Sequence, residues 1–218
     1  VAKKGADELN EIIQAEFDFD NFAWQQENKI SVKEDFRAEG LNRVLYKCPH
    51  CLKEGEMEGK GTKISCKQCG KEYELTEYGY LETVDRDGKF DHIPDWYRWE
   101  RECVRKEILD GTYHLEVPVD ICMMVNSKQV YRVGEGVLKH NNEGFHLTGC
   151  DGKLEYTQKP SFSYSLYADY YWYETGDVIC IGDLNTLYYC FPKNCGDIVA
   201  KTRLATDEMY KLSKKTRQ

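Results

Sequence analysis

Leu9, Ile12 and Ile13 recur at helical spacing near the start of the chain and predict a short helix. An acidic-aromatic stretch follows, Phe17-Asp18-Phe19-Asp20-Asn21-Phe22. Residues 1–43 therefore read as one helix and a linker or docking strip that packs on a neighbouring domain. Between 44 and 80 the pattern changes to short β-like pieces: Val44-Leu45-Tyr46, Lys63-Ile64-Ser65 and Tyr73-Glu74-Leu75. Gly55, Gly59, Gly61 and Gly70 punctuate them. A connector at 81–111 holds a helix over 94–110. Pro94 suits its first turn, Asp95 favours its N-terminal dipole, and Gly111 suits the position just past its end. Trp96, Trp99, Cys103, Val104 and Ile108 share one face, which reads as a packing stripe. From 112 to 214 the period is two. Leu115, Val117, Val119 and Ile121 alternate with Glu116, Pro118, Asp120 and Cys122. Further strands are predicted at 129–133, 136–140, 144–148, 153–157, 162–173, 177–182, 186–191 and 198–202. Asn141-Asn142-Glu143-Gly144 and Asp151-Gly152 are turn chemistry between them. A final helix, capped by Thr206 and packed through Met209, Tyr210 and Leu212, would plug an open end of the resulting sandwich or barrel.

The chain has 218 residues, 41% of them apolar, enough for one large domain or two small ones. The longest apolar run is Ile121–Val125, far short of the ~20 residues of a membrane-spanning helix, so any membrane role is peripheral. Lys plus Arg is 30 and Asp plus Glu is 38, a net charge of −8. The balance is −4 over 1–45, 0 over 46–80, −3 over 81–113 and −1 over 114–218. No segment is basic, and a phosphate backbone demands a basic footprint, so nucleic-acid binding is disfavoured. The chain opens on Val1 with no signal-peptide pattern. The expectation is a cytoplasmic location and further chain upstream.

Four of the ten cysteines carry the strongest signal. Cys48-Pro49-His50-Cys51 and Cys66-Lys67-Gln68-Cys69-Gly70 give the spacing C-x2-C-x14-C-x2-C. Two residues between thiolates let one tight turn aim both sulfurs at one ion. Gly70 permits a left-handed turn and offers its amide toward the sulfur. Four soft ligands with no open position predict one structural Zn²⁺ per chain, in a zinc ribbon. His50 is expected to be an exposed bystander. Cys103, Cys122, Cys150, Cys180, Cys190 and Cys195 show no pairing signature and read as free thiols.

His146-Leu147-Thr148-Gly149-Cys150-Asp151 has the H-x4-D spacing of glycerolipid acyltransferases, with His146 as base and Asp151 as its orienter. His146 also alternates with Phe145 and Leu147 as in a strand, and no basic Gly-rich phosphate motif accompanies it, so no catalytic residue is assigned. Tyr156, Tyr164, Tyr167, Tyr170, Tyr171, Trp172 and Tyr173 form an aromatic cluster. It is expected to pack across the sheet, with one face left as a contact surface.

Four stretches are distinctive: Phe36-Arg37-Ala38-Glu39-Gly40-Leu41-Asn42-Arg43-Val44-Leu45-Tyr46-Lys47-Cys48, His92-Ile93-Pro94-Asp95-Trp96-Tyr97, Leu147-Thr148-Gly149-Cys150-Asp151-Gly152-Lys153-Leu154-Glu155-Tyr156, and Ser165-Leu166-Tyr167-Ala168-Asp169-Tyr170-Tyr171-Trp172-Tyr173. In these the chain resembles, over residues 15–212, the C-terminal region of large clostridial proteins described as 1-acyl-sn-glycerol-3-phosphate acyltransferases. The resemblance implies an upstream acyl-transfer domain, and it carries only the ligands Cys48, Cys51, Cys66 and Cys69 onto this chain. The β-rich half is similar in pattern to pleckstrin-homology or GRAM-like domains, without their basic pocket. The expected fold is mainly β with a few helices: a rubredoxin-like zinc ribbon, then an antiparallel β-sandwich or barrel with a C-terminal helix. The expected function is a non-catalytic accessory region that docks on the acyltransferase domain, on anionic membrane lipid or on a protein. Two alternatives are a zinc-ribbon nucleic-acid or protein-interaction module, and a fragment that is itself acyltransferase-active through His146 and Asp151.

Overall fold

The computed structural model describes residues 4–125, 129–172 and 175–215. It is mainly β, with two antiparallel sheets. The N-terminal strip holds two helices where one was expected: α1 (Ala6–Phe17) and α2 (Asn21–Glu27). Asp20 separates them, because its carboxylate accepts hydrogen bonds from the amides of Phe22 (2.9 Å) and Ala23 (3.0 Å) and so caps α2. The Val44-Leu45-Tyr46 piece is not a strand. It follows a single 3-10 turn at Leu41–Arg43, and Leu45 and Tyr46 are buried as a loop.

The first sheet has the order β1-β2-β3-β4: β1 (Met57–Lys60), β2 (Lys63–Cys66), β3 (Glu72–Leu75) and β4 (Leu81–Glu82). Its core draws on both sides of the 44–80 span. Ala38 comes from before it, and Leu81, Ile93 and Trp96 from after it. Ile93 and Trp96 belong to α3 (Ile93–Leu109), which has Pro94 in its first turn and Gly111, at φ +70°, beyond its end, as the sequence predicts.

The second sheet has seven strands: β5 (Leu115–Val125), β6 (Gln129–Asn141), β7 (Gly144–Gly149), β8 (Leu154–Gln158), β9 (Tyr167–Trp172), β10 (Gly176–Gly182) and β11 (Thr186–Pro192). Their order is β8-β7-β6-β5-β11-β10-β9. The two segments expected at 129–133 and 136–140 are one strand. Gly134 does not end it but sits at a bulge opposite Ile121/Cys122. Gly136 lets β6 cross β7, since a Cβ there would stand 2.2 Å from the Thr148 carbonyl oxygen. The predicted strand at 162–173 is strand only over Tyr167–Trp172, and Tyr173 lies outside the described residues. The sheet curls strongly. Tyr156 on β8 and Tyr188 on β11 lie four strands apart in the order, about 19 Å in a flat sheet, yet their ring centroids are 5.2 Å apart.

The segment 198–202 is helix and not strand: α4 spans Val199–Lys215. Val199, Ala200, Leu204, Ala205 and Met209 are buried along it. Thr206 is no cap. It lies inside the helix, buried, with its hydroxyl donating to the Thr202 carbonyl at 2.8 Å. Val199 enters the core of the curled sheet beside Val119, Ile121, Leu138 and Ile179. A third cluster joins Tyr46 from the ribbon loop, Val104 and Ile108 from α3, and Leu204 and Met209 from α4. Thus α3 contributes its first half to the ribbon core and its second half to the joint with the β domain.

Candidate metal centre

The two knuckles have the same backbone form. After Cys51 comes Leu52 at φ +63°, and after Cys69 comes Gly70 at φ +73°. The Leu52 amide donates to the Cys48 carbonyl (3.0 Å) and the Gly70 amide to the Cys66 carbonyl (2.8 Å). The Gly70 amide thus serves the carbonyl and not, as expected, the sulfur. The sulfur of Cys48 instead takes the amides of His50 and Cys51, and that of Cys66 takes those of Gln68 and Cys69.

These turns bring four sulfurs together. Cys48 Sγ and Cys69 Sγ are 3.7 Å apart, and Cys51 Sγ and Cys66 Sγ 3.6 Å. All four lie within 4.8 Å of one another. A tetrahedral ion with bonds of about 2.3 Å to sulfur has edges of about 3.8 Å, so the cluster fits a metal site. Burial pushes the Cys48 thiol up to about 12. Four thiolates this close need a cation among them.

His50 is not a ligand, but it is not a free bystander either. It is half-buried, with Nε2 2.8 Å from the Tyr73 hydroxyl. That hydroxyl accepts the Lys89 amide at 3.1 Å, while Lys89 Nζ donates to the Pro49 carbonyl at 2.6 Å. Burial, with the Lys71 and Lys89 charges, holds His50 below the ordinary imidazole range.

Sequence reasoning missed what holds the first knuckle from behind. The residue before Cys48 is gripped at both backbone groups by α3. The Lys47 amide donates to Glu100 Oε1 (2.8 Å), and its carbonyl accepts Trp96 Nε1 (3.0 Å). Glu100 is fully buried, and burial raises its carboxyl well above the usual range. The signal was available: Trp96, Glu100, Val104 and Ile108 recur every four residues, which puts Glu100 inside the apolar stripe. A ring of charges surrounds this grip. Lys47 Nζ reaches Glu54 (3.1 Å) and Glu107 (3.4 Å), and Lys201 Nζ reaches the same two carboxylates at 2.8 Å each. The ring ties the knuckle loop to α3 and to α4. Burial opposes ionisation of Glu54, yet Lys201 and Lys47 hold its pKa below the usual value.

The sequence-weighed catalytic pair is arranged differently. His146 points outward from β7, with Nε2 3.2 Å from Glu155 on β8. Asp151 sits in the hairpin turn at φ +55°. A cleft of about 480 Å³ separates the ribbon from the β domain. Its charged groups answer one another: Arg43 pairs with Asp177 at 3.1 Å, and Asn42 donates to Asp197 at 2.6 Å. Cys195 lies in this cleft, and no histidine lines it among the described residues. None of the ten cysteines is in a disulfide. The aromatic cluster divides at a bulge, where Tyr171 at φ +59° breaks the alternation of β9, so that Tyr170 packs on the Ile179 side of the sheet and Trp172 on the Val178 side. Tyr170 and Trp172 are half-buried, and Trp172 packs on Tyr189 and Phe191. Tyr156 packs on Tyr188. Tyr164, Tyr167 and Tyr171 are 77%, 61% and 56% exposed. No helix among the described residues is long and apolar enough to cross a membrane. No protein-family model and no curated protein matches the chain.

Proposed function

We propose that the chain is a zinc-stabilised, non-catalytic accessory region of a bacterial glycerolipid acyltransferase, docking through its β domain. The metal we assign is Zn²⁺, one per chain, because four thiolates in a closed tetrahedron favour it over harder cations. It supplies structure and no chemistry, since four protein ligands leave no open position. Metal analysis after reducing purification is expected to give one zinc per chain, and none would refute the assignment.

The observation that carries the docking role is the tyrosine row on β9, an edge strand of the seven-stranded sheet. Tyr167 is exposed on it, Tyr171 is exposed at the cleft with its ring 5.2 Å from the Arg43 guanidinium, and Tyr164 and Phe162 are exposed in the loop before it. Tyrosine pairs an apolar ring with a polar tip, which suits interfaces and lipid headgroups alike. The ribbon offers no competing basic face. Lys63 pairs with Glu72, Lys67 with Glu58 and Lys71 with Asp85. The resemblance in residues 15–212 names the parent class. Co-sedimentation with vesicles containing phosphatidate or lysophosphatidate tests the reading, alongside a pull-down with the acyltransferase domain. Binding to either that is lost in Tyr167→Ser/Tyr171→Ser supports it. Binding to neither overturns it.

A further inference from the structure

The loop at 159–166 runs from β8 to β9, the two edges of the seven-stranded sheet. Beside it lies a cavity of about 450 Å³, within the roughly 300–1,000 Å³ of small-molecule sites. Leu166, Ile181 and Leu187 give it apolar walls. Phe162, Tyr164 and Tyr167 also line it and are 58%, 77% and 61% exposed, so their rings stand at its mouth. A polar wall is Gln158, which is buried. Its Oε1 accepts the Gly182 amide (3.2 Å) and the Tyr156 hydroxyl (3.3 Å). These bonds hold the side chain in place and leave its Nε2 hydrogens for another acceptor.

Arg203 of α4 is the one charged residue lining this cavity. It is exposed, and among the described residues no carboxylate pairs with it. Arg37, Arg43, Arg101 and Arg105 differ, for each holds one. Asp207 lies one turn along α4 but turns an oxygen to Arg101 at 3.3 Å. Its other oxygen is buried without a partner, so Arg203 does not reach back to it. The Arg203 charge bears on the phenols of Tyr97 and Tyr170, but burial raises both, Tyr170 to about 12, so they stay neutral and give no counter-charge. Two further carboxylates lie near. Asp183 accepts the amides of Asn185 (2.8 Å) and Thr186 (3.0 Å), and Asp169 accepts that of Tyr170 (2.8 Å). Lys159, next to Gln158, and Lys214, over the Tyr210 ring that meets Tyr164, offset them. The surroundings are thus balanced in charge, and an anion is recognised by contact with Arg203 and not by long-range attraction.

We infer that this cavity binds an anionic single-chain amphiphile, with its phosphate or carboxylate head on the Arg203 guanidinium and the Gln158 amide and its chain along Leu166, Ile181 and Leu187. A guanidinium presents two parallel N–H donors to such a head, which an ammonium does not. Inorganic phosphate would use the polar contacts alone, and a neutral amphiphile the walls alone, so tight binding needs both halves in one molecule. The inference rests on the docking reading for its exposed rings, and it names the class of ligand that they admit.

Calorimetric titration of the whole chain with dodecyl phosphate, kept below its micelle concentration, tests this. Dodecyl phosphate is expected to bind at one site per chain. Dodecyl maltoside, dodecyltrimethylammonium and inorganic phosphate should each bind about tenfold more weakly or less. Arg203→Gln should weaken dodecyl phosphate about tenfold or more and leave the maltoside unchanged. Phe162→Asp, which sets a carboxylate at the mouth, should weaken the phosphate and strengthen the ammonium. Both positions are exposed, so circular dichroism and Tm should match the wild type, and a changed affinity reports the site. Equal affinity for the three dodecyl compounds overturns the inference. So does inorganic phosphate that binds as tightly as dodecyl phosphate, or no binding of either. Capture by vesicles or by the acyltransferase domain while dodecyl phosphate fails to bind refutes this site and leaves the tyrosine docking standing. Dodecyl phosphate bound through Arg203 with capture absent supports the site and refutes the docking.

Discussion

Leu52 and Gly70 hold the same left-handed position in the two knuckles, yet only one is glycine. A leucine there costs roughly 1–2 kcal/mol, against roughly 0.5–1 kcal/mol for the extra chain freedom of glycine. Leu52→Gly should therefore raise stability by up to about 1 kcal/mol. Gly70→Ala should lower it by about 1 kcal/mol, and purely through the backbone, since nothing lies within 4 Å of a Cβ placed there. Urea midpoints of the metal-bound chain at constant slope measure both, and shifts of the same sign would defeat the argument. Glu100 makes a second case. A carboxyl that binds its proton more tightly when folded contributes stability that is complete below its unfolded value, about 4.3, and is lost as pH rises. Glutamine keeps the acceptor for the Lys47 amide without the charge. Glu100→Gln should thus gain on the wild type by about 1.4 kcal/mol per pH unit above 4.3, until the folded value is passed. Urea titrations at pH 4, 5.5 and 7 read that difference, and one that does not grow with pH contradicts a buried neutral carboxyl. At this scale the four cysteines were legible because ligand spacing is local. Glu100 was legible in position only, inside the stripe of Trp96, Val104 and Ile108, because its partner is a backbone amide 53 residues away.

Helices α3 and α4 meet through charge as well as apolar contact. Arg101 and Arg105 reach Glu208 at 3.1 and 2.8 Å, and the ring of Lys47, Glu54, Glu107 and Lys201 adds the ribbon loop. In an alternating ring each carboxylate has two lysines, so losing one leaves two carboxylates sharing the other. Lys201→Met should cost about 1–2 kcal/mol, more than an isolated surface pair. Combined with Glu107→Gln it should show a coupling of about 1 kcal/mol in a double-mutant cycle. Additive effects would mean the ring is four independent surface charges. None of this was visible along the chain, where each member looks like an ordinary exposed charge. The same distance effect explains the misread segment 198–202. Ile198, Val199 and Ala200 have β-compatible local character, and only the joint with α3 rewards a helical stripe that continues to Leu204, Ala205 and Met209. By contrast β5, β7 and β8 were legible because alternation records a buried face, and β10 and β11 because Val178–Ile181 and Tyr189–Phe191 are short apolar runs buried on both faces. The break at Gly134-Glu135-Gly136 misled because glycine marks a bulge and a close crossing as readily as an end.

For the whole molecule the consequence is that metal, ribbon and β domain form one thermodynamic unit. The proposed zinc would hold the knuckles, and the first knuckle is held through Lys47 by Glu100 and Trp96 of α3. The far half of α3, Val104 and Ile108, packs on α4, which enters the core of the curled sheet. Chelation under reducing conditions removes the first link. The ribbon's short strands, four residues or fewer, cannot stand without it. The expected outcome is twofold. Trp96, fully buried in the intact chain, should shift its fluorescence to the red. The unfolding of the β domain, followed by the loss of strand signal in circular dichroism, should move down with it. A joint worth 1–2 kcal/mol corresponds to a fall of roughly 4–16 °C for a domain near 100 residues. The metal-loaded chain should give one transition by both probes. Two transitions after chelation, with the upper one within a degree of the metal-loaded value, would mean that α3 is a passive spacer. A downward shift that Lys201→Met reduces would place the coupling in the ring, since that variant has already loosened the contact through which the ribbon supports α4.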